Sequence, residues 1–200
     1  QYVADQVADV GILGENVVIE KGKDVEIIER LGFAKCRLTL AVRREVDYPG
    51  TAWFENRKVA TSYPRILSRY MASKNLKPEI ESISGSVEIA PGIGLADGIC
   101  DIVSTGSTLL ANGLKEVETV LESQAVLVAD PKLNGKKAQI LDKLVFRIKA
   151  LRNASRNKYI LLNAPEDALQ EITQILPGIK SPTILPLAKP GWISLHSVVN

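Results

Sequence analysis

The 200-residue chain has only two cysteines and one histidine, and each shortage removes a class of protein. Cys36 and Cys100 both sit inside apolar runs, too few for a disulfide framework or a thiolate zinc site, and read as buried thiols of a reducing cytoplasm. His196 stands alone in an apolar strand-like run with no Cys or second His near it, so a packed residue is expected rather than a base or ligand. Aromatic residues make up 5%, which argues against base-stacking platforms. With 25 basic and 23 acidic side chains the net charge is +2, and no excess of one sign points to nucleic acid or a membrane surface. No apolar run approaches about 18 residues, so no membrane-spanning helix is expected.

What is present describes a globular chain. The 46% of apolar residues can fill one large or two smaller domains. The opening string QYVADQVADVGILGEN has no initiator methionine and begins in mid-pattern, and residues 196–200 stop inside a strand-like run. A piece of a longer chain is the expectation.

The chain is organised around residues 96–114, ADGICDIVSTGSTLLANGL. A short apolar run, Gly98-Ile99-Cys100, leads to Asp101 and then to Ser104, Thr105, Gly106, Ser107 and Thr108, which open a helix-like segment. N–H groups at a helix start lack intrahelical partners and carry the positive end of the dipole, so they suit phosphate oxygens. Gly106 allows close backbone approach, and the four hydroxyls add donors. Asp101 suits ribose hydroxyls or a magnesium ion. By itself, such a cluster is also ordinary loop composition.

Further polar groups fall at strand ends. Residues 9–14 read as a buried strand, preceded by the tail of a helix over residues 1–8 and followed by Glu15 and Asn16, at the carboxyl end where open α/β sheets contact ligands. Capping alone explains that pair equally well. Residues 25–30 and 35–42 have strand character, the second with period-two alternation. Residues 58–61 form another strand, and Ser62 is placed to cap a helix starting at Pro64, with Thr61 and Ser62 candidates for facing a cleft. Residues 79–83 make a strand before Ser84-Gly85-Ser86-Val87-Glu88, where Glu88 either complements a helix dipole or reaches a ligand. Residues 117–128 read as one extended run, residues 136–151 as a helix with an apolar stripe, and residues 158–199 as a β-α-β-β series with its helix beginning at Pro165.

The string DIVSTGSTLLANGL closely resembles the phosphoribosyl pyrophosphate loop of the ATP phosphoribosyltransferases, D-[IL]-V-S-T-G-x-T-L-x-x-N-G-L. DVGILGEN, ATSYP, GSVE, NAPED and SPTILPLA resemble the same family, in the same order. The resemblance implies an α/β fold of two periplasmic-binding-protein-like lobes, the first incomplete, followed by an incomplete ACT/PII-like α+β regulatory domain. Residues 1–40 and 124–153 would form the first lobe, 41–123 the second, and 156–200 the regulatory domain.

The implied reaction joins ATP to phosphoribosyl pyrophosphate through adenine N1, releasing pyrophosphate with Mg2+ present, as the first step of histidine biosynthesis in the cytoplasm. Adenine N1 carries a lone pair at neutral pH, so positioning and charge stabilisation are expected to dominate over a strong base. The resemblance implies Asp101 and Glu88 as catalytic residues. It implies Ser104, Thr105, Gly106, Ser107, Thr108, Glu15, Asn16, Thr61 and Ser62 as substrate contacts, histidine as regulator, and a hexamer. The alternatives are a non-catalytic two-lobe binding protein and a domain that binds histidine without turnover.

Overall fold

The computed structural model describes residues 1–176, 178 and 181–199. Pro177, Ile179, Lys180 and Asn200 lie outside the described residues. The chain divides into two compact units, Gln1–Leu133 and Asn134–Asn200.

The first unit holds two sheets. β1 (Val10–Gly14), α1 (Glu15–Lys21) and β2 (Glu26–Arg30) are followed by β3 (Cys36–Arg43), β4 (Lys58–Thr61), α2 (Pro64–Ser73) and β5 (Glu79–Ser82). Then come β6 (Gly98–Val103), α3 (Ser107–Ala111), β7 (Leu114–Ser123) and β8 (Ala125–Ala129). β8 lies between β1 and β2 in a three-stranded antiparallel sheet, and all five of its residues are buried. The other sheet has the order β5-β4-β6-β3-β7, with β4 parallel to both neighbours and β3 antiparallel to both of its own.

The chain crosses between the sheets twice, after β2 and after β7, and the two crossings are bonded to each other. Leu31 N donates to the Ala125 carbonyl at 2.9 Å, Gly32 N to Gln124 Oε1 at 3.0 Å, and Ala125 N to the Phe33 carbonyl at 3.0 Å. Satisfying these backbone groups locally is what allows polar main chain to lie between two lobes.

Strand alternation gives the five-stranded sheet two different faces. Leu38, Leu40, Val42, Val59 and Cys100 pack with Ile66, Leu67 and Met71 of α2 on one. Ala41, Ala60, Ile99 and Val103 pack with Val87, Ala90, Leu109 and Leu114 on the other, the side of α3.

Four local expectations change. Residues 1–8 are turns, not a helix tail. The run over residues 117–128 is divided at Gln124, where the chain changes sheet. Ser62 does not cap α2, because its hydroxyl donates to the Ile83 carbonyl at 2.7 Å. The first turn of α2 is met instead by Glu20 of α1, whose carboxylate accepts from Arg65 N at 3.1 Å and Ile66 N at 3.0 Å. A carboxylate there also opposes the helix dipole, and it ties the helices of the two sheets together. In the C-terminal unit the segment after Pro165 begins as a 3₁₀ turn, Glu166–Ala168, before the α-helix.

That unit comprises α4 (Gly135–Arg156), β9 (Lys158–Pro165), α5 (Leu169–Ile175), β10 (Thr183–Pro186) and β11 (Trp192–Val199). Its strands form an antiparallel sheet ordered β10-β11-β9. His196 is held between Tyr159 Oη, on Nδ1, and Ser194 Oγ, 3.0 Å from Nε2. Of the expected stripe on α4, Leu141 is buried, Val145 and Ile148 half-buried, and Leu144 and Leu151 exposed.

Candidate active site

β6 runs through the sheet and ends at Val103, so the residues after it leave the core with the strand's direction imposed on them. Gly106, at φ +82°, turns the chain into α3, a conformation that is easy for glycine and strained for other residues. A Cβ on Gly106 would lie 2.9 Å from Glu116 Oε1, the end of a flexible side chain, so it is the positive φ that favours glycine here. Ser104, Thr105, Ser107 and Thr108 are exposed, and Thr105 Oγ1 lies 3.0 Å from Ser107 Oγ. Their hydroxyls stand beside first-turn N–H groups of α3 that the helix cannot satisfy.

Ser104, Thr105, Gly106 and Thr108 line one cavity of about 320 Å³ together with Asp101 and Glu88. Asp101 Oδ1 accepts from Ile102 N at 2.8 Å. Burial pushes the Asp101 carboxyl above its usual range, the Ile102 amide counteracts this in part, and the negative charge of Glu88 raises it further. Two acids held in mutual opposition beside a set of donors form the kind of arrangement that a polyol or a cation-bearing ligand relieves. Among the described residues no group of three or more His, Cys, Asp or Glu could hold a metal ion. The donor set therefore fits a divalent ion carried in on a polyphosphate, with a carboxylate or two completing its shell, better than a resident protein-bound metal.

Of the remaining residues singled out from the sequence, Glu15, Asn16, Thr61 and Ser62 do not line this cavity, and Ser107 belongs to the turn without lining it. Asn16 is buried and bonded at both ends of its amide: its N–H donates to Ser123 Oγ at 3.0 Å, its Oδ1 accepts from the same hydroxyl at 2.9 Å, and its Nδ2 donates to Tyr63 Oη at 3.1 Å. Glu15 pairs with Arg30 at 2.6 Å. Thr61 is buried, with its hydroxyl donating to the Cys100 carbonyl at 2.6 Å and accepting from Tyr63 N at 2.9 Å. Ser62 is occupied by Ile83. Ser107 joins the turn through Thr105.

Sequence reasoning missed Arg37. Its guanidinium reaches the Ser104 carbonyl and Glu116 from β3, and it borders a second cavity of about 450 Å³ with Lys35, Cys36, Ser104, Glu122, Ser123 and Gln124. The alternation of β3 placed Arg37 on a face, but nothing in the string says that β6 and β7 flank it.

These features define a two-lobed α/β protein of the periplasmic-binding-protein-like class, with a hydroxyl- and glycine-rich turn at the end of a strand. The solved substrate binding protein of an amino acid ABC transporter shares this fold, with TM-score 0.57 at 14% identity over 77% of this chain and 69% of that one. The ATP phosphoribosyltransferase family profile matches residues 1–150, and that of the family's C-terminal domain matches residues 154–200. An ATP phosphoribosyltransferase of Cytophaga hutchinsonii is 57% identical over 199 residues, covering 100% of this chain and 70% of that protein. A solved ATP phosphoribosyl transferase (HisG:HisZ) complex from Thermotoga maritima matches with TM-score 0.65 at 28% identity, covering 74% of this chain and 72% of that one. The chain belongs to the ATP phosphoribosyltransferase family, and with it to the pentosyltransferases of histidine biosynthesis. A non-catalytic two-lobe binder is not favoured.

Proposed function

We propose that the protein condenses ATP with phosphoribosyl pyrophosphate, the turn over residues 104–108 holding the 5-phosphate and Asp101 and Glu88 meeting the ribose hydroxyls. The observation that carries this reading is the single cavity that gathers four residues of the turn with both acids. The first-turn amides of α3 and the hydroxyls of Ser104, Thr105, Ser107 and Thr108 neutralise the phosphate and fix the sugar's register. With the 5-phosphate anchored, Asp101 and Glu88 set the ring so that the anomeric carbon faces the second substrate. As adenine N1 attacks, positive charge grows at the anomeric carbon and the bond to pyrophosphate breaks. The two carboxylates then sit close to developing positive charge, which lowers their electrostatic cost and contributes to the rate. Mg2+, when bound with the pyrophosphate, supplies charge neutralisation to the leaving group.

Glu15 and Asn16 serve this scheme through the lobe junction, with Thr61 and Ser62 supporting the strand ends beneath the site. Histidine acts as regulator through the C-terminal unit, the assembly is a hexamer, and the setting is the cytoplasm; family membership supports these three readings. Calorimetric titration with phosphoribosyl pyrophosphate, ATP and histidine in turn tests the scheme. Asp101→Ala and Thr108→Ala are expected to weaken phosphoribosyl pyrophosphate binding far more than ATP binding, and equal losses for both substrates would overturn the assignment.

A further inference from the structure

We infer that Arg37 is a positioning residue for the phosphate-holding turn, acting with Glu116 as a strut beneath it. This rests on the reading that the turn holds the 5-phosphate. On β3, Arg37 lies opposite Val103, the last residue of β6 before the turn. It shares a sheet face with Ala41, which packs in the α3-side core, whereas Leu38 and Leu40 point into the α2-side core. Arg37 Nε donates to Glu116 Oε2 at 2.9 Å and Nη2 to Glu116 Oε1 at 2.7 Å, a bidentate fork that fixes the guanidinium plane. Its remaining Nη1 reaches the Ser104 carbonyl at 3.5 Å. The same Glu116 Oε1 lies against Gly106, where a Cβ would come within 2.9 Å. One ion pair therefore borders the turn at its first residue and at its central glycine.

The effect on the turn follows from peptide geometry. A trans peptide points its C=O and N–H in opposite directions, so a Ser104 carbonyl drawn toward Arg37 aims the Thr105 N–H away from it. Thr105 lines the 320 Å³ cavity and Arg37 does not. Arg37 thus orients a donor toward the phosphate without touching it. Elsewhere on this face of β3, Thr39, 1% exposed and opposite Asp101, has a hydroxyl without a partner, Ala41 has no polar group, and Arg43 donates to the Pro91 carbonyl instead. Stability is not the purpose of the pair, because side chains exposed by 37% and 29% gain little from an ion pair in water.

Kinetics and titration with ribose 5-phosphate on Arg37→Met, Arg37→Lys and Glu116→Gln test this, with Thr108→Ala as the control for the turn. Arg37→Met is expected to raise KM for phosphoribosyl pyrophosphate and Kd for ribose 5-phosphate by on the order of tenfold or more, with KM for ATP within about twofold. Its Tm is expected to stay within about 2 °C of the parent. Arg37→Lys restores only part of the loss, since an ammonium has no planar fork. Glu116→Gln reproduces the direction of Arg37→Met, because the strut fails from either end. If Glu116→Gln binds ribose 5-phosphate as well as the parent or better while Arg37→Met binds weakly, Arg37 touches the phosphate itself and the positioning role is overturned. If Thr108→Ala weakens binding and neither strut variant does, the turn reading stands and the strut falls. If Thr108→Ala is also neutral, both fall together.

Discussion

Glu118 and Asp101 lie on opposite faces of the five-stranded sheet, and the protein treats them in opposite ways. Glu118, on the α2 side opposite Leu40, accepts from Thr51 Oγ1 at 2.8 Å, Tyr70 Oη at 2.9 Å and Tyr48 Oη at 3.1 Å. Burial alone would raise its pKa, but the hydrogen bonds from Thr51, Tyr70 and Tyr48, with the charge of Lys74, outweigh it and hold the carboxyl below its usual range. Asp101, on the α3 side, keeps one backbone amide and faces another acid, and burial leaves it above its usual range. The lesson is that one carboxylate is saturated and gives stability, while the other is left wanting partners and marks a candidate site.

The sharpest way to break this contrast is Asp101→Asn. If the α3 face is kept for a ligand, affinity for phosphoribosyl pyrophosphate should fall by on the order of a hundredfold while Tm rises by about 2 to 4 °C, read by titration and by thermal melting. A fall in both would erase the distinction between the faces. Next comes Glu118→Ala, which strands hydroxyls around a half-buried hole and should cost about 2 to 3 kcal/mol in denaturant unfolding. The folded fraction of that variant should bind phosphoribosyl pyrophosphate as the parent does.

Gly106→Ala should weaken ribose 5-phosphate binding about tenfold, because the positive φ opposes a methyl group and the Glu116 carboxylate must shift to admit it. A smaller effect separates the two acids by pH. The lowered carboxyl of Glu118 contributes stability above its unfolded pKa of about 4.3, lost as pH falls through the folded value. The raised carboxyl of Asp101 works the other way, so the Tm advantage of Asp101→Asn should be full at pH 7 and shrink toward zero as pH falls to about 3.9. The smallest change is expected at the exposed pair Lys58–Glu79, where Lys58→Ala should alter neither melting nor binding measurably.

Much of this was legible in advance where chemistry is local. The order strand, glycine turn, helix over residues 96–114 can be read from residue types, since Gly106, between the strand and the helix, takes a left-handed turn cheaply. The apolar spacing of α2 likewise reports which side of the helix is buried, whereas β3, whose alternation suggests one buried side, is covered on both faces. Ser62 was legible as a polar residue before Pro64 and yet not as the partner of Ile83, because Glu20 arrives from another lobe to take the helix start. Asn16 and Thr61 had the right chemistry for ligand contacts, and the fold turned their hydrogen bonds to Ser123, Tyr63 and Cys100.

The sequence by itself determined the hydroxyl- and glycine-rich turn, the acid ahead of it and the identity of most elements, because propensity and periodicity act between residues a few positions apart. Only the tertiary structure decided that Arg37 meets Glu116 79 positions later and that Glu118 gathers Tyr48, Thr51 and Tyr70. Periodicity tells each residue which face it lies on. The strand that comes to lie opposite is chosen by packing the whole sheet.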